Sequence, residues 1–130
     1  NIQRGRDHGL PGYNDVRESL GFGRAQDFSD VSSDPETQNR LSTIYESVDD
    51  IDLWVGGLSE DPLPGSHLGE LFVAIVKGQF KTLRDGDRYW YSETLSDNEI
   101  RRVERTKLSD IIKRNTDIGD EIQDDVFHVR

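Results

Sequence analysis

Asn1-Ile2-Gln3-Arg4-Gly5-Arg6-Asp7-His8-Gly9 is a dense run of polar groups with fixed geometry, and it opens a chain of 130 residues. Complete domains usually begin with a dispensable tail, so a start like this one is expected to come from inside a longer protein. If residues 1–4 make one helical turn, Asn1 and Arg4 lie three positions apart on one face, and Arg6 does not share it. That face offers an amide oxygen that can accept from an imidazole N–H, and a guanidinium fork that can hold a carboxylate through two bonds. Two readings are open. Either the pair edges a cofactor pocket, or it is an exposed polar turn in which arginine and aspartate pair with each other.

The run continues as Leu10-Pro11-Gly12-Tyr13-Asn14, and the whole of residues 1–14 resembles the signature of the animal-type haem peroxidases, the peroxidasin and myeloperoxidase family of the peroxidase–cyclooxygenase superfamily. Three further blocks resemble the family in the right order. They are Ile51-Asp52-Leu53-Trp54-Val55-Gly56-Gly57-Leu58-Ser59-Glu60, then Gln79-Phe80 with Leu83-Arg84-Asp85-Gly86-Asp87-Arg88-Tyr89-Trp90-Tyr91, and more weakly Asn115-Thr116, Ile118 and Asp125-Val126-Phe127. The resemblance covers nearly the whole chain.

The resemblance implies that residues 1–130 are the C-terminal part of a haem peroxidase catalytic domain, beginning in the helix that backs the proximal histidine. The implied fold is an all-α fragment: an irregular bundle of about five helices with long loops. The distal and proximal histidine regions and the calcium loop of the family precede a block like residues 1–14. The parent is therefore expected to hold haem, b-type or covalently linked, and to contain calcium that this segment does not bind. Asn1 and Arg4 are the expected cofactor-binding residues, Asn1 accepting the proximal imidazole N–H and Arg4 pairing with a haem propionate. No catalytic residue and no metal ligand is expected in this segment. The implied partners are hydrogen peroxide, a halide or organic electron donor, and the remainder of the peroxidase domain. A peroxidase-like adhesion or structural module without catalysis is the alternative. Family resemblance also implies a secreted parent. The chain departs from the animal pattern in having no cysteine. Several members carry cysteine near Leu20 and Lys113, so a bacterial or otherwise divergent source is expected.

Composition narrows the classes further. Hydrophobic and charged residues each make up 32% of the chain, which allows one modest core. A net charge of −10 disfavours nucleic acid and anionic membrane surfaces as partners. No apolar run reaches the roughly 18 residues that a membrane-spanning helix needs.

Local signals predict the helices. Asn14 is expected to cap a helix over residues 15–20, closed by Gly21. Residues 21–34 read as a loop. Asp34 and Pro35 start a helix to about Ser47, with Leu41, Ile44, Tyr45 and Val48 as its buried stripe. In the cluster Asp49, Asp50 and Asp52, either Asp50 or Asp52 reads as a helix cap and the rest as solvated charge, since the EF-hand spacing is absent, and Trp54 reads as core. Leu68 to about Arg84 is the widest apolar stripe, with Gly86 suited to a left-handed closing residue. Arg84, Asp85, Asp87 and Arg88 read as an ion-pair network pinning that helix end. Ser96 and Glu99 form a capping box that opens a helix to Arg105 or Thr106, carrying Ile100 and Val103. The last helix is expected over residues 108–115, with Ile111 and Ile112 inward and Val126 and Phe127 docking beyond it. His8, His67 and His128 have no second histidine at metal-binding spacing. His8 is expected to be hydrogen-bonded at the Gly9 turn.

Overall fold

The structure is a computed structural model that describes residues 1–128. The chain divides into two compact units, Asn1–Thr82 and Leu83–Arg130. Among the described residues there are eight α-helices, and one isolated antiparallel bridge between Gly12 and Asp52 is the only β pairing. The helices are α1 (Ile2–Asp7), α2 (Tyr13–Ser19), α3 (Pro35–Ile44), α4 (Leu53–Ser59), α5 (Glu70–Gly86), α6 (Tyr91–Thr94), α7 (Asp97–Arg105) and α8 (Leu108–Asn115). Two 3-10 turns, Phe28–Asp30 and Val48–Asp50, interrupt the loops. The all-α expectation holds. The surplus over five helices is made by the short helices α1, α4 and α6, too brief to show a full apolar period in sequence.

The first unit has a core of Tyr13, Ala25, Val31, Leu41, Val48, Ile51 and Leu71. Polar groups order it. The Tyr13 hydroxyl donates to Glu60 Oε1 at 2.9 Å, and Arg17 Nη1 donates to the same oxygen at 2.8 Å. Glu60 Oε2 accepts from the Leu71 backbone N–H at 2.8 Å, satisfying one of the donors left open in the first turn of α5. The Arg17 guanidinium also lies 5.6 Å from the ring centres of Tyr13 and Phe22. One carboxylate, only 6% exposed in its side chain, thus joins α2, the end of α4 and the start of α5. Burial, helped by Glu60, pushes the Tyr13 phenol well above its usual value.

Asn14 does not cap α2. Gly12 takes that position, and Asn14 lies inside the helix, buried, with its amide donating to Ala25 O at 3.0 Å and Asp49 Oδ1 at 2.7 Å. Its oxygen accepts from Ala25 N–H at 2.9 Å. Three bonds inside the core outweigh one bond at an exposed helix end. Gly21 has φ +82° as expected, but Gly86 is helical and is not among the left-handed glycines. Asp34 caps α3 through Thr37 N–H at 3.0 Å, and the Ser96–Glu99 box is formed, Glu99 accepting from Ser96 N–H at 2.9 Å.

Several expected core positions are exposed instead. Ile44 lies at the end of α3 and points outward, while Leu41 and Val48 are buried. On α5 the buried stripe stops early: Leu71 is buried and Phe72 half-buried, but Ile75, Val76 and Phe80 (68% exposed) are open. In the second unit Val103, Ile111 and Phe127 are exposed, and no apolar side chain of the described residues 83–128 is fully buried. The Arg84–Asp85 pair forms at 2.7 Å and Arg88 stacks over Tyr89, but both pairs are short-range and exposed.

The α4 glycines permit close aromatic packing. A Cβ on Gly56 would lie 2.3 Å from the Tyr13 ring, and one on Gly57 would lie 2.4 Å from the Phe72 ring. Gly56→Ala should therefore cost about 1–3 kcal/mol through overpacking, whereas Gly23→Ala, which meets nothing within 4 Å, should be close to neutral. Denaturant unfolding of the two variants checks this; equal stabilities would contradict the packing described.

Candidate functional site

A cleft of about 470 Å³ runs between α1 and α4. Its apolar wall includes Leu10, Trp54 and Phe72, the last two with ring centres 5.5 Å apart. Trp54, expected in the core, is 42% exposed and faces this cleft. A turn as short as α4, with two glycines spent on contact with Tyr13 and Phe72, leaves its indole on the open side.

The polar rim comes from α1. The expected helical turn is present, and Asn1, Arg4 and His8 all line the cleft. Asn1 is the helix N-cap through its carbonyl, which accepts from Gly5 N–H at 2.8 Å, while its side-chain amide makes no capping bond. Arg4 is exposed, and among the described residues its guanidinium has no carboxylate partner. The self-paired polar turn is formed only in part: Gln3 donates to Asp7 at 2.7 Å within the helix. His8, expected to be hydrogen-bonded at the turn, is exposed, and its ring has no hydrogen bond among the described residues.

Arg6 behaves differently from Arg4. Its Nε and Nη2 donate to the two oxygens of Asp52 at 2.9 and 2.7 Å. Tyr45, at the end of α3, donates its hydroxyl to Asp52 Oδ2 at 2.8 Å. Asp52 also pairs with Gly12 through the bridge and starts α4. The Arg6 hydrogen bonds, reinforced by Tyr45, hold the Asp52 carboxyl below its usual range. Sequence reading treated the acidic cluster at 49–52 as a cap plus solvated charge and so missed these partners. Asp49 in turn accepts from Asn14 and from Arg24, at 2.7 and 2.8 Å, and these bonds lower its pKa as well. The Arg6, Asn14 and Arg24 partners lie 25 to 46 residues away, beyond any local pattern, and Tyr45 lies 7 residues from Asp52.

Among the described residues no group of three or more His, Cys, Asp or Glu side chains converges as a metal centre. No described helix is long and apolar enough to cross a membrane.

The sequence profile described as animal haem peroxidase matches residues 1–127. The chain belongs to that family. Peroxinectin A of Dictyostelium discoideum is 46% identical over 127 residues, covering 98% of this chain and 24% of its own length. Thyroid peroxidase of Sus scrofa is 40% identical over 124 residues, covering 92% of this chain and 13% of its own length. Among solved structures, peroxidase A from Dictyostelium discoideum superimposes with a TM-score of 0.84 at 46% identity, covering 96% of this chain and 24% of that one. The chain thus spans about a quarter or less of the length of these peroxidases.

The depressed carboxyls of Asp49 and Asp52 give the fold an acid dependence. In the unfolded chain they titrate near the usual 3.8. Below that value the unfolded state binds more protons than the folded one, so stability falls as pH drops. Their contribution is complete above the usual aspartate range and is lost as pH falls through the lowered folded-state values. Acid unfolding followed by circular dichroism should show a shallower acid limb in Asp52→Asn than in the wild type; identical limbs would contradict the linkage.

Proposed function

We propose that the parent protein is a haem peroxidase that reduces hydrogen peroxide while oxidising a halide or organic donor, and that this segment forms the proximal-side wall of its haem pocket. The observation that carries the reading is the pairing on α1 of an Asn1 amide and an Arg4 guanidinium that have no side-chain partner among the described residues, both at the rim of an apolar cleft. Arg6, two residues on, is already committed to Asp52.

These residues fit haem. A planar, apolar macrocycle with acidic edges needs an aromatic and aliphatic wall and a cation near its carboxylates. The cleft offers Leu10, Trp54 and Phe72 for the first and Arg4 for the second. Haem, when bound, supplies a redox-active iron between peroxide and donor. The Asn1 oxygen would accept the N–H of a ligating imidazole supplied from elsewhere in the parent, fixing its ring and tautomer. A neutral amide pulls on that proton less than a carboxylate, so the ligand stays an imidazole rather than an imidazolate. The Arg4 guanidinium would neutralise a propionate. The apolar wall would keep water from that side of the pocket.

The remainder of the peroxidase domain is the macromolecular partner in this reading. Ile75, Val76 and Phe80 form an apolar row on α5 that nothing in the first unit covers, and such a row calls for burial.

Three variants and one truncation test the reading. In the intact parent, Asn1→Asp should lower the ferric–ferrous midpoint potential with haem retained, because the carboxylate makes the imidazole a stronger donor. Arg4→Ala should release haem about tenfold or more faster to a competing apoprotein, the loss of a charge-assisted bond worth roughly 1.5–3 kcal/mol. Arg4→Lys, which keeps the charge without the fork, should fall between the two. An unchanged midpoint in haem-loaded Asn1→Asp would remove Asn1 from the proximal side. Purified residues 1–130 should show no stoichiometric Soret band and no peroxidase turnover, because one wall supplies neither an iron ligand nor a closed pocket; a defined band with turnover would refute that.

A further inference from the structure

We infer that Arg6, Asp52 and Tyr45 form a positioning clamp that sets where α1 sits, and through it the alignment of Asn1 and Arg4 with the haem. The inference rests on the proposed haem-side role of those two residues. A helix of six residues is not stable alone. This one buries none of its residues. Its other side-chain bond, Gln3 to Asp7, is internal. Among the described residues, the two Arg6–Asp52 bonds are the only hydrogen bonds that tie α1 to anything beyond residue 10. They join positions 46 residues apart.

An ordinary surface ion pair would be a poor anchor, because two mobile side chains in water gain little from meeting. Four features separate this pair from that case. The Asp52 carboxylate is only 17% exposed although Arg6 is 60% exposed, so the acceptor is fixed by its surroundings. The Tyr45 hydroxyl holds one of its oxygens from the other side, at 2.8 Å. The Arg6 contact is fork to fork, which fixes angle as well as distance. The acceptor's backbone is held too, by its bridge to Gly12 and by its place at the start of α4.

The clamp is placed to act on α1 without using the face that carries Asn1 and Arg4. Arg6 stands two residues beyond Arg4, about 200° further round the helix. Arg6 and Asp52 line the same cleft, so charge and helix position are separated by sign: a field effect would move the midpoint in opposite directions in Arg6→Gln and Asp52→Asn, whereas a loosened helix moves it in the same direction in both. Partners that orient a metal-ligating imidazole commonly govern metal affinity by one to two orders of magnitude, and a partner one step removed should have a smaller effect of the same kind.

The test uses the intact, haem-loaded parent and two readouts: the ferric–ferrous midpoint by spectroelectrochemistry, and the rate of haem transfer to excess apomyoglobin. Arg6→Gln and Asp52→Asn should each speed haem loss about fivefold, in keeping with a half-exposed pair. Both should raise the midpoint, because a loosened Asn1 draws less on the imidazole proton. That direction is opposite to the one expected for Asn1→Asp. The double variant should be no worse than the worse single one, since each removes the same clamp. Tyr45→Phe should shift both readouts less and in the same sense, and it serves if Asp52→Asn fails to fold. Unchanged midpoint and haem loss in folded clamp variants, with Asn1→Asp still lowering the midpoint, would overturn the clamp and leave the haem-side reading standing. Additive effects in the double variant would also overturn it. Silence in Asn1→Asp as well would bring down the haem-side reading and the clamp together.

Discussion

The first unit depends on how the Glu60 carboxylate is satisfied. A carboxylate with this little access to water needs donors aimed at both oxygens. It receives them from the Tyr13 hydroxyl, the Arg17 guanidinium and the Leu71 N–H. Each donor belongs to a different constraint. Tyr13 is the ring against which Gly56 packs, Arg17 reaches on to Gly23 O and Glu70, and Leu71 is in the opening turn of α5. Losing the carboxylate would leave a half-buried arginine and an uncapped helix start around an aromatic core. Removing one partner of such a pair typically costs about 3–5 kcal/mol. Glu60 therefore fixes the relation of α2, α4 and α5, and α4 with α1 then frames the cleft.

A second polar junction does the same for the cleft's rim. Asp52 meets Arg6 from α1, Tyr45 from the end of α3 and Gly12 at the start of α2. The two junctions divide the labour. Glu60 holds the core together, and Asp52 holds the six-residue helix that bears Asn1 and Arg4. This arrangement lets a short, unburied helix keep a defined place while one of its faces stays free for another molecule.

Signals carried within one turn of helix were legible in the sequence. The Asp34–Pro35 start, the Ser96–Glu99 box, Gly21 as a left-handed closing residue and the turn that pairs Asn1 with Arg4 all rest on contacts between near neighbours. The family and the all-α class were legible because residues 1–14 and the block at residues 79–91 are long, specific matches. What was not legible depended on distant partners. Asn14 looked like a cap because its sequence neighbours are helical; its true partners, Ala25 and Asp49, lie 11 and 35 residues away. Asp52 was legible as a helix-cap candidate and does stand at the N-cap of α4, but its side-chain partner Arg6 lies 46 residues earlier and was not. The apolar stripe of α5 was read correctly as a pattern, but periodicity cannot say which element covers it. Within the first unit the cover ends near Phe72 and Val73, and Ile75, Val76 and Phe80 stay open.

The junction at Glu60 also has a consequence for the order in which this protein is made. Tyr13 precedes its acceptor by 47 residues, and the third donor, Leu71, comes later still. A ribosome adding roughly 5–20 residues each second needs about two to nine seconds to bridge the first interval. During that time the emerging segment holds an aromatic ring and an arginine whose shared acceptor has yet to be synthesised. Cooperative closure of this unit is thus tied to the emergence of the first turn of α5. A synonymous or ribosome-stalling change between positions 13 and 71 would lengthen the exposure of the nascent chain without altering a single contact in the finished protein.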